Sequence, residues 1–266
     1  MPELPDVEVY RRRLSAHGLH KKIGKVAVTD ARILDRVSAA ALARRLTGRQ
    51  FTAAERRGKH LLARLDKGGW VTMHFGMSGD LLFHDDPEKA PPYTCVRLDF
   101  GRGAHLSYTS RRKLGRLGVA DDADEFIARQ RLGPDALDRS FDAAALKKAL
   151  GGTTRGIKAA LMDQSVLAGI GNIFSDEILF QARIDPRKPV PKLDPAELKR
   201  LHGAMRRVLQ EAVRRGAGSE TFLEHLPSSW LLPQRRKGGK CPRGHGALKT
   251  FKLGARTGYY CPRCQR

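Results

Sequence analysis

Long apolar runs are missing from this chain of 266 residues. No stretch approaches the roughly 18 consecutive apolar residues that a membrane-spanning helix needs, and the first residues lack the basic-then-apolar pattern of a leader. The expected location is therefore the cytoplasm, with no membrane partner. Cysteine is scarce as well: Cys95 stands alone in a strand-like run, and the other three are Cys241, Cys261 and Cys264. That distribution argues against a disulfide framework and leaves Cys95 as a small buried apolar residue. Acidic residues are few, 28 against 50 Lys and Arg, for a formal charge of +22. So large a surplus exceeds what solubility requires and implies a polyanionic partner, with a basic ribosomal-type scaffold as the competing reading of charge alone. No internal repeat or low-complexity tract is present.

The chain is long enough for one large or two small domains with a genuine core. Val7, Val9 or Tyr10, Leu14 and Leu19 recur at helical spacing over Asp6 to Leu19, which predicts an amphipathic helix. Lys25 to Asp30 alternates like a strand, and Ser38 to Leu46 reads as a short helix. Six short strands follow at Gln50–Glu55, His60–Leu65, Trp70–His74, Asp80–Phe83, Thr94–Phe100 and His105–Tyr108, with glycines at the turns, the pattern of an antiparallel sandwich. Arg56-Arg57-Gly58-Lys59-His60 falls at one of those turns. It is either a solvated corner or a means of carrying Lys59 to a phosphate or a sugar.

Residues 121–138 read as a linker with a short helix, and beyond them the pattern is helical. Helices are expected over Phe141–Leu150, Ile157–Asp163 and Ile173–Ala182. Asn172 is expected as the N-cap of the last, its neighbours Gly169 and Gly171 allowing a phosphate to meet the amides and the helix dipole. Helix, tight turns, helix is either a nucleic-acid docking unit or a plain corner. Asp194-Pro195-Ala196-Glu197 is a capping box with first-turn proline, opening a long helix whose Leu198, Leu201, Met205, Val208, Leu209 and Ala212 form a core stripe.

Near the end, Cys241-x3-His245 and Cys261-x2-Cys264 are separated by fifteen residues. Two close pairs of soft ligands across a hairpin suit one tetrahedral zinc, which can hold together a region too small for its own core. From His225 to Arg266 there is no acidic residue and there are ten Lys or Arg, so the hairpin is expected to face DNA, with Arg256 near its tip.

The first eight residues, Met-Pro-Glu-Leu-Pro-Asp-Val-Glu, support two readings. Initiator methionine is trimmed before a small residue such as Pro2, which would leave a secondary amine titrating near the roughly 7.7–8.0 of α-amino groups. Such an amine is a candidate nucleophile that forms an iminium, with Glu3 beside it as acid/base. The plainer reading is a helix start, with proline and carboxylates in the first turn.

Four motifs taken in order bear on that choice: the N-terminal Pro-Glu-Leu-Pro-Asp-Val-Glu, Arg-Arg-Gly-Lys at 56–59, Asp163-Gln164 through Gly171-Asn172-Ile173, and Arg256-Thr-Gly-Tyr-Tyr-Cys-Pro-Arg-Cys264. Together they resemble the formamidopyrimidine-DNA glycosylase and endonuclease VIII family over essentially the whole chain. The resemblance implies an α+β protein with an N-terminal β-sandwich flanked by helices (1–120), the linker (121–138), a helix-two-turn-helix bundle (139–232) and a zinc-finger hairpin (233–266). It implies a bacterial, nucleoid-associated monomer of base-excision repair that acts on double-stranded DNA carrying damaged bases or abasic sites. The DNA would lie in a cleft between the domains, with the target nucleotide flipped out. Pro2 would attack C1′, Glu3 would serve as acid/base, and β- then δ-elimination would cut the strand with Lys59 and Arg256 gripping phosphates. Lys158 and Asn172 match phosphate clamps, and Met77 matches the residue that fills the void.

Several positions depart from the family pattern. Asp6 replaces a glutamate, and Tyr93 stands where a DNA-binding histidine is usual. Arg112-Lys113-Leu114-Gly115 replaces an Arg-Arg-Phe-Gly wedge, and residues 216–240 match neither the base-covering loop nor the Tyr-rich linker of the purine enzymes. A lesion-binding protein of the same fold without the chemistry is the alternative expectation.

Overall fold

The computed structural model describes residues 2–86, 90–101, 103–218 and 222–266; Met1, whose removal is expected, lies outside them. The chain divides into two compact units, one of Met1–Pro2 with Asp6–Gln130, the other of Glu3–Pro5 with Arg131–Arg266. The second cut falls after Gln130, inside the segment read as a linker.

The first unit runs α1 (Leu4–His17, its first two residues belonging to the other unit), β1 (Lys25–Val28), β2 (Leu34–Asp35), α2 (Ala39–Leu46), β3 (Phe51–Arg57), β4 (His60–Leu65), β5 (Trp70–His74), β6 (Gly79–His84), β7 (Thr94–Asp99), β8 (His105–Ser110), β9 (Arg116–Ala120) and α3 (Ala123–Arg129). Two sheets form, in the orders β1-β7-β8-β6 and β2-β9-β5-β4-β3. One buried cluster draws on both, with Phe51, Leu61 and Met73 from one and Val96, Leu106 and Tyr108 from the other. Val7, Tyr10 and Leu14 of α1 and Leu42 and Leu46 of α2 join it. Each such side chain contributes about 1.5–3 kcal/mol by leaving water.

β9, like the short β2, is a strand that the alternation pattern does not announce. Gly118 interrupts it, and a Cβ there would press on the backbone oxygen of Asp35 in its parallel neighbour β2. Gly115, just before β9, is needed for a similar reason. Any side chain would collide with the Tyr108 hydroxyl, which donates to the His74 carbonyl at 2.8 Å.

The second unit contains α4 (Ala143–Leu150), α5 (Ile157–Met162), α6 (Asn172–Ala182), α7 (Pro195–Arg214) and the hairpin β10 (Lys249–Leu253) and β11 (Arg256–Tyr260). The capping box of α7 is present as the sequence predicts: Asp194 accepts from the Glu197 amide at 2.7 Å, and Glu197 accepts from the Asp194 amide at 3.1 Å. Leu201, Met205, Val208, Leu209 and Ala212 are buried as the core stripe requires, while Leu198, expected with them, is only partly buried. α6 is buried almost all round, through Phe174, Ile178, Leu179 and Phe180 but also Asp176 and Glu177. Among the described residues no helix is long and apolar enough to cross a membrane.

A charged group inside a buried helix needs partners. Glu177 accepts from the Leu232 amide at 2.9 Å and the Gln181 side chain at 2.7 Å, yet burial still pushes its carboxyl up to about 7. In the unfolded chain it titrates near 4.5, so the folded state binds the extra proton between those values. The stabilisation is full below about pH 4.5 and is lost as pH rises through about 7. Glu177→Gln, which cannot ionise, should therefore gain stability relative to the parent between pH 4.5 and 8. The check is the difference between their urea midpoints at a series of pH values; a difference that does not vary with pH would show an ordinary carboxyl.

Candidate active site and metal centre

Glu3 is fully buried, at 0% exposure. One carboxylate oxygen accepts from the amides of Gly171 at 2.7 Å and Phe174 at 3.2 Å, and the other from Ile173 at 2.8 Å. These amides open α6, where the helix leaves donors unsatisfied and its dipole favours negative charge. The Leu4 amide adds a bond to the Gly169 carbonyl at 3.0 Å. Two glycines make room: a Cβ at Gly171 would overlap the Glu3 carboxyl, and one at Gly169, where φ is +114°, would overlap Leu4. Gln164 braces the turn with all its hydrogen-bonding groups, donating to the Met162 and Ile170 carbonyls and accepting from the Gly169 amide.

This arrangement corrects two sequence expectations. Asn172 is not the N-cap; that position is Gly171, and Asn172 is the first helical residue. The α6 amides expected to meet a phosphate are taken by Glu3, a carboxylate from 168 positions earlier in the chain.

Lys158 also departs from its expected place as a phosphate clamp. Its ammonium is buried, and its three donors go to Asp176 (2.7 Å), Ser175 Oγ (2.7 Å) and the Asn172 carbonyl (2.8 Å). Burial pulls its pKa below the ordinary lysine range, while the Asp176 carboxylate opposes that shift. With no donor left over, Lys158 positions Asn172 and does not reach outward. The Asn172 side chain donates to the Thr257 carbonyl at 3.2 Å, leaving its own oxygen buried without a partner among the described residues. Arg235 donates to the same carbonyl at 2.9 Å and to Asp176 at 2.7 Å. Thr257 adjoins the exposed Arg256, so Asn172 and Arg235 fix where that arginine starts. Asp176 and Arg235 are absent from the sequence-based site. Two adjacent carboxylates, Asp176 and Glu177, inside a largely apolar helix are the signal that could have marked the first, whereas Arg235 is lost among the basic residues around it.

In the first unit, Lys59 occupies the two-residue turn between β3 and β4, with Gly58 at φ +55°. Arg56 steadies this turn, bonding the Gly58 carbonyl at 3.1 Å and Glu8 at 3.2 Å. Burial would raise the Glu8 carboxyl, but Arg11, Arg56 and Arg12 outweigh it and hold it below the ordinary range. Asp6 lies in the first turn of α1. Met77 and Leu114 are exposed large apolar residues, at 44% and 48%. The structure brings their loops together: Arg112 contacts Met77 Sδ at 3.3 Å and donates its amide to Ser78 Oγ at 2.9 Å. Gly76 packs so closely on the Leu114 backbone that no side chain fits. Tyr93, 54% exposed, has its carbonyl bonded by the Ser110 amide at 3.0 Å, at the base of the same loop.

Cys241, His245, Cys261 and Cys264 converge, their ligand atoms all within 4.8 Å of one another. Cys241 and Cys264 sulfurs are 3.5 Å apart, and His245 Nδ1 is 2.9 Å from Cys264 Sγ. Three sulfurs and an imidazole nitrogen at such separations fit a single tetrahedral zinc in a structural role, with His245 as the fourth ligand. Gly244, at φ +76°, turns the chain that presents it. Removing zinc with a strong chelator should abolish amide-exchange protection across residues 249–260 while the sheets of residues 51–120 keep theirs; hydrogen exchange read by mass spectrometry checks this, and full protection of the hairpin without metal would contradict it.

Comparisons with known proteins agree with one another. A family model described as the formamidopyrimidine-DNA glycosylase N-terminal domain matches residues 1–117, and one for the H2TH domain of the same enzymes matches residues 132–224. A formamidopyrimidine-DNA glycosylase of Moorella thermoacetica is 38% identical over 99% of this chain and 92% of its own length. One from Halorhodospira halophila is 36% identical with both chains covered in full. Among solved structures, the Lactococcus lactis enzyme bound non-covalently to DNA containing an abasic site is similar, with a TM-score of 0.88 at 28% identity over 99% of each chain. The same enzyme bound to DNA containing the formamidopyrimidine lesion Fapy-dG gives 0.87 at 27% over 99% and 100%.

Proposed function

This chain belongs to the formamidopyrimidine-DNA glycosylase family, and on that premise we propose that it is a bifunctional enzyme, releasing oxidatively damaged bases through Pro2 and then cutting the strand as an abasic-site lyase. The observation that carries the proposal is the seat of Glu3: a buried carboxylate held by three amides, in the residue directly after Pro2. The Lactococcus lactis enzyme solved with abasic-site and Fapy-dG DNA supports damaged duplex DNA as the substrate here.

The neutral amine of Pro2 attacks C1′ of the everted nucleotide. The glycosidic bond breaks, its electron pair leaving with the base, which takes a proton. Opening of the sugar ring gives an iminium between Pro2 nitrogen and C1′. Glu3, fixed within reach by its three amide donors, moves protons between the sugar and solvent. The iminium acidifies the C2′ proton, whose loss expels the 3′ phosphate; a second elimination expels the 5′ phosphate and frees the enzyme after hydrolysis. Lys59 at the braced turn and Arg256 at the hairpin supply cations to the phosphates. Met77, Arg112 and Leu114 fill the space the nucleotide vacates. Zinc supplies no chemistry here, only the fold of the hairpin that carries Arg256.

Borohydride reduction with an abasic duplex should link the protein covalently to DNA, and Pro2→Gly should cut the yield sharply; a parent protein that binds such DNA but is never trapped is a lesion-binding protein and not this enzyme. Glu3→Gln should lower base release by about 10²–10⁴. Gly171→Ala, which touches no substrate in this scheme, should lower it by about 10² by displacing the Glu3 carboxylate. Excision at the parent rate by the Gly171→Ala protein would show that the seat of Glu3 does not matter.

A further inference from the structure

The second unit has a basic pocket that the scheme above does not use. It has a volume of about 510 Å³ and is walled by Arg183, Lys188, Arg200, Arg243, Arg263 and Arg266, beside the zinc ligands His245 and Cys264. Glu197 is the carboxylate in its lining, and Lys188 already neutralises it at 2.7 and 2.8 Å. Arg243 is also engaged, donating to the Phe180 carbonyl and the Gln181 side chain and lying over the Phe180 ring. Arg183, Arg263 and Arg266 are exposed, and among the described residues their guanidinium groups have no hydrogen-bond or ion-pair partner. Arg200 has only a 3.9 Å contact with Glu197.

Two elements place this pocket away from the Asn172–Thr257 corner. α6 begins at Asn172 and is capped by Arg183, and its eleven residues span about 16 Å. β11 carries Thr257 near its start and leads straight into Cys261, about 13 Å further on. The helix and the strand both run from the corner that positions Arg256 to the end that holds the basic pocket.

We propose that this pocket is a second phosphate site, which takes the backbone of a DNA segment other than the one being repaired. Five of the six cations are arginines, whose planar forks match phosphate oxygens. Apart from His245, which the zinc site engages, the lining offers no aromatic ring on which an unpaired base could stack. What remains is recognition of closely spaced negative charge, which duplex DNA presents at about one charge per 1.7 Å of its axis. A protein holding two segments at once can pass from one to the other without full release. The pocket does not depend on the Pro2 chemistry, so either proposal can fail alone.

The test uses the full zinc-loaded chain saturated with an unlabelled abasic-analogue duplex, into which a short undamaged fluorescent duplex is titrated and followed by anisotropy. The parent should bind the second duplex, and Arg200→Glu with Arg266→Glu should weaken that step at least tenfold. The double variant should also flatten the log-log salt dependence of that step by about 1.8, at about 0.9 per lost phosphate contact. Base release from a separate duplex carrying a damaged base should stay within twofold, which also shows that the variant folds. No second-duplex binding by the parent, or equal binding by the variant, would overturn the proposal. So would displacement of the second duplex by a poly-glutamate peptide at lower charge concentration than by unlabelled DNA, since that outcome would assign the pocket to an acidic protein.

Discussion

The arrangement depends first on one carboxylate meeting one helix start. Glu3 is buried, and a buried charge without donors costs several kcal/mol. The beginning of α6 leaves amides without acceptors, which also costs free energy when they are buried. Each solves the other's problem: the amides of Gly171, Ile173 and Phe174 accommodate the carboxylate. Helix and chain terminus are thereby fixed together, and Pro2 follows by covalent geometry. The requirement is strict because glycine is needed at both 169 and 171, and because Gln164 has every hydrogen-bonding group committed to the intervening turn.

A second buried carboxylate extends the same logic to the hairpin. Asp176 accepts from Lys158, from Arg235 and from the Tyr259 amide. Lys158 and Arg235 in turn bond Asn172 and Thr257. A network of this kind is weak as a source of net stability, since desolvation offsets much of the attraction. Its effect is on position: removing any member strands a buried charge, so alternative placements of residues 256–259 are disfavoured. The hairpin, too small for a core of its own, is held by zinc at its base and by this network along its inner strand.

Much of the fold was legible because it follows from periodicity. His60–Leu65 and Trp70–His74 are short, mostly apolar runs bounded by glycine-containing turns and fall where that pattern puts them, and the α7 capping box needs only residues three apart. The zinc ligands were legible for a similar reason, since soft ligands in paired spacing leave few alternatives. What escaped was set by partners distant in sequence. β9 was hidden because its glycine answers to β2 and not to its own pattern. Asn172 looks like an N-cap because residue type predicts capping well when the cap is local, and here it is supplied by Glu3. Lys158 was expected as a phosphate clamp from the family resemblance alone; its burial depends on Asp176, a partner that spacing in the sequence does not reveal.

This last point changes how the charge of +22 bears on function. Composition counts every arginine and lysine alike, yet Lys158, Arg235 and Arg56 are internal braces whose charges are spent on Asp176 and Glu8. Three cations against two carboxylates leave a positive remainder, but it lies on side chains that are buried or nearly so and bonded inward. The cations left exposed to a polyanion include Arg256 near the hairpin tip and Arg183, Arg263 and Arg266 at the other end of the same unit. An excess far above what solubility demands is thus partitioned by the fold into clusters separated by the length of α6. A duplex gripped at one cluster leaves the other with its charge unneutralised, and an unneutralised cluster of arginines in solution attracts the nearest phosphate it can reach.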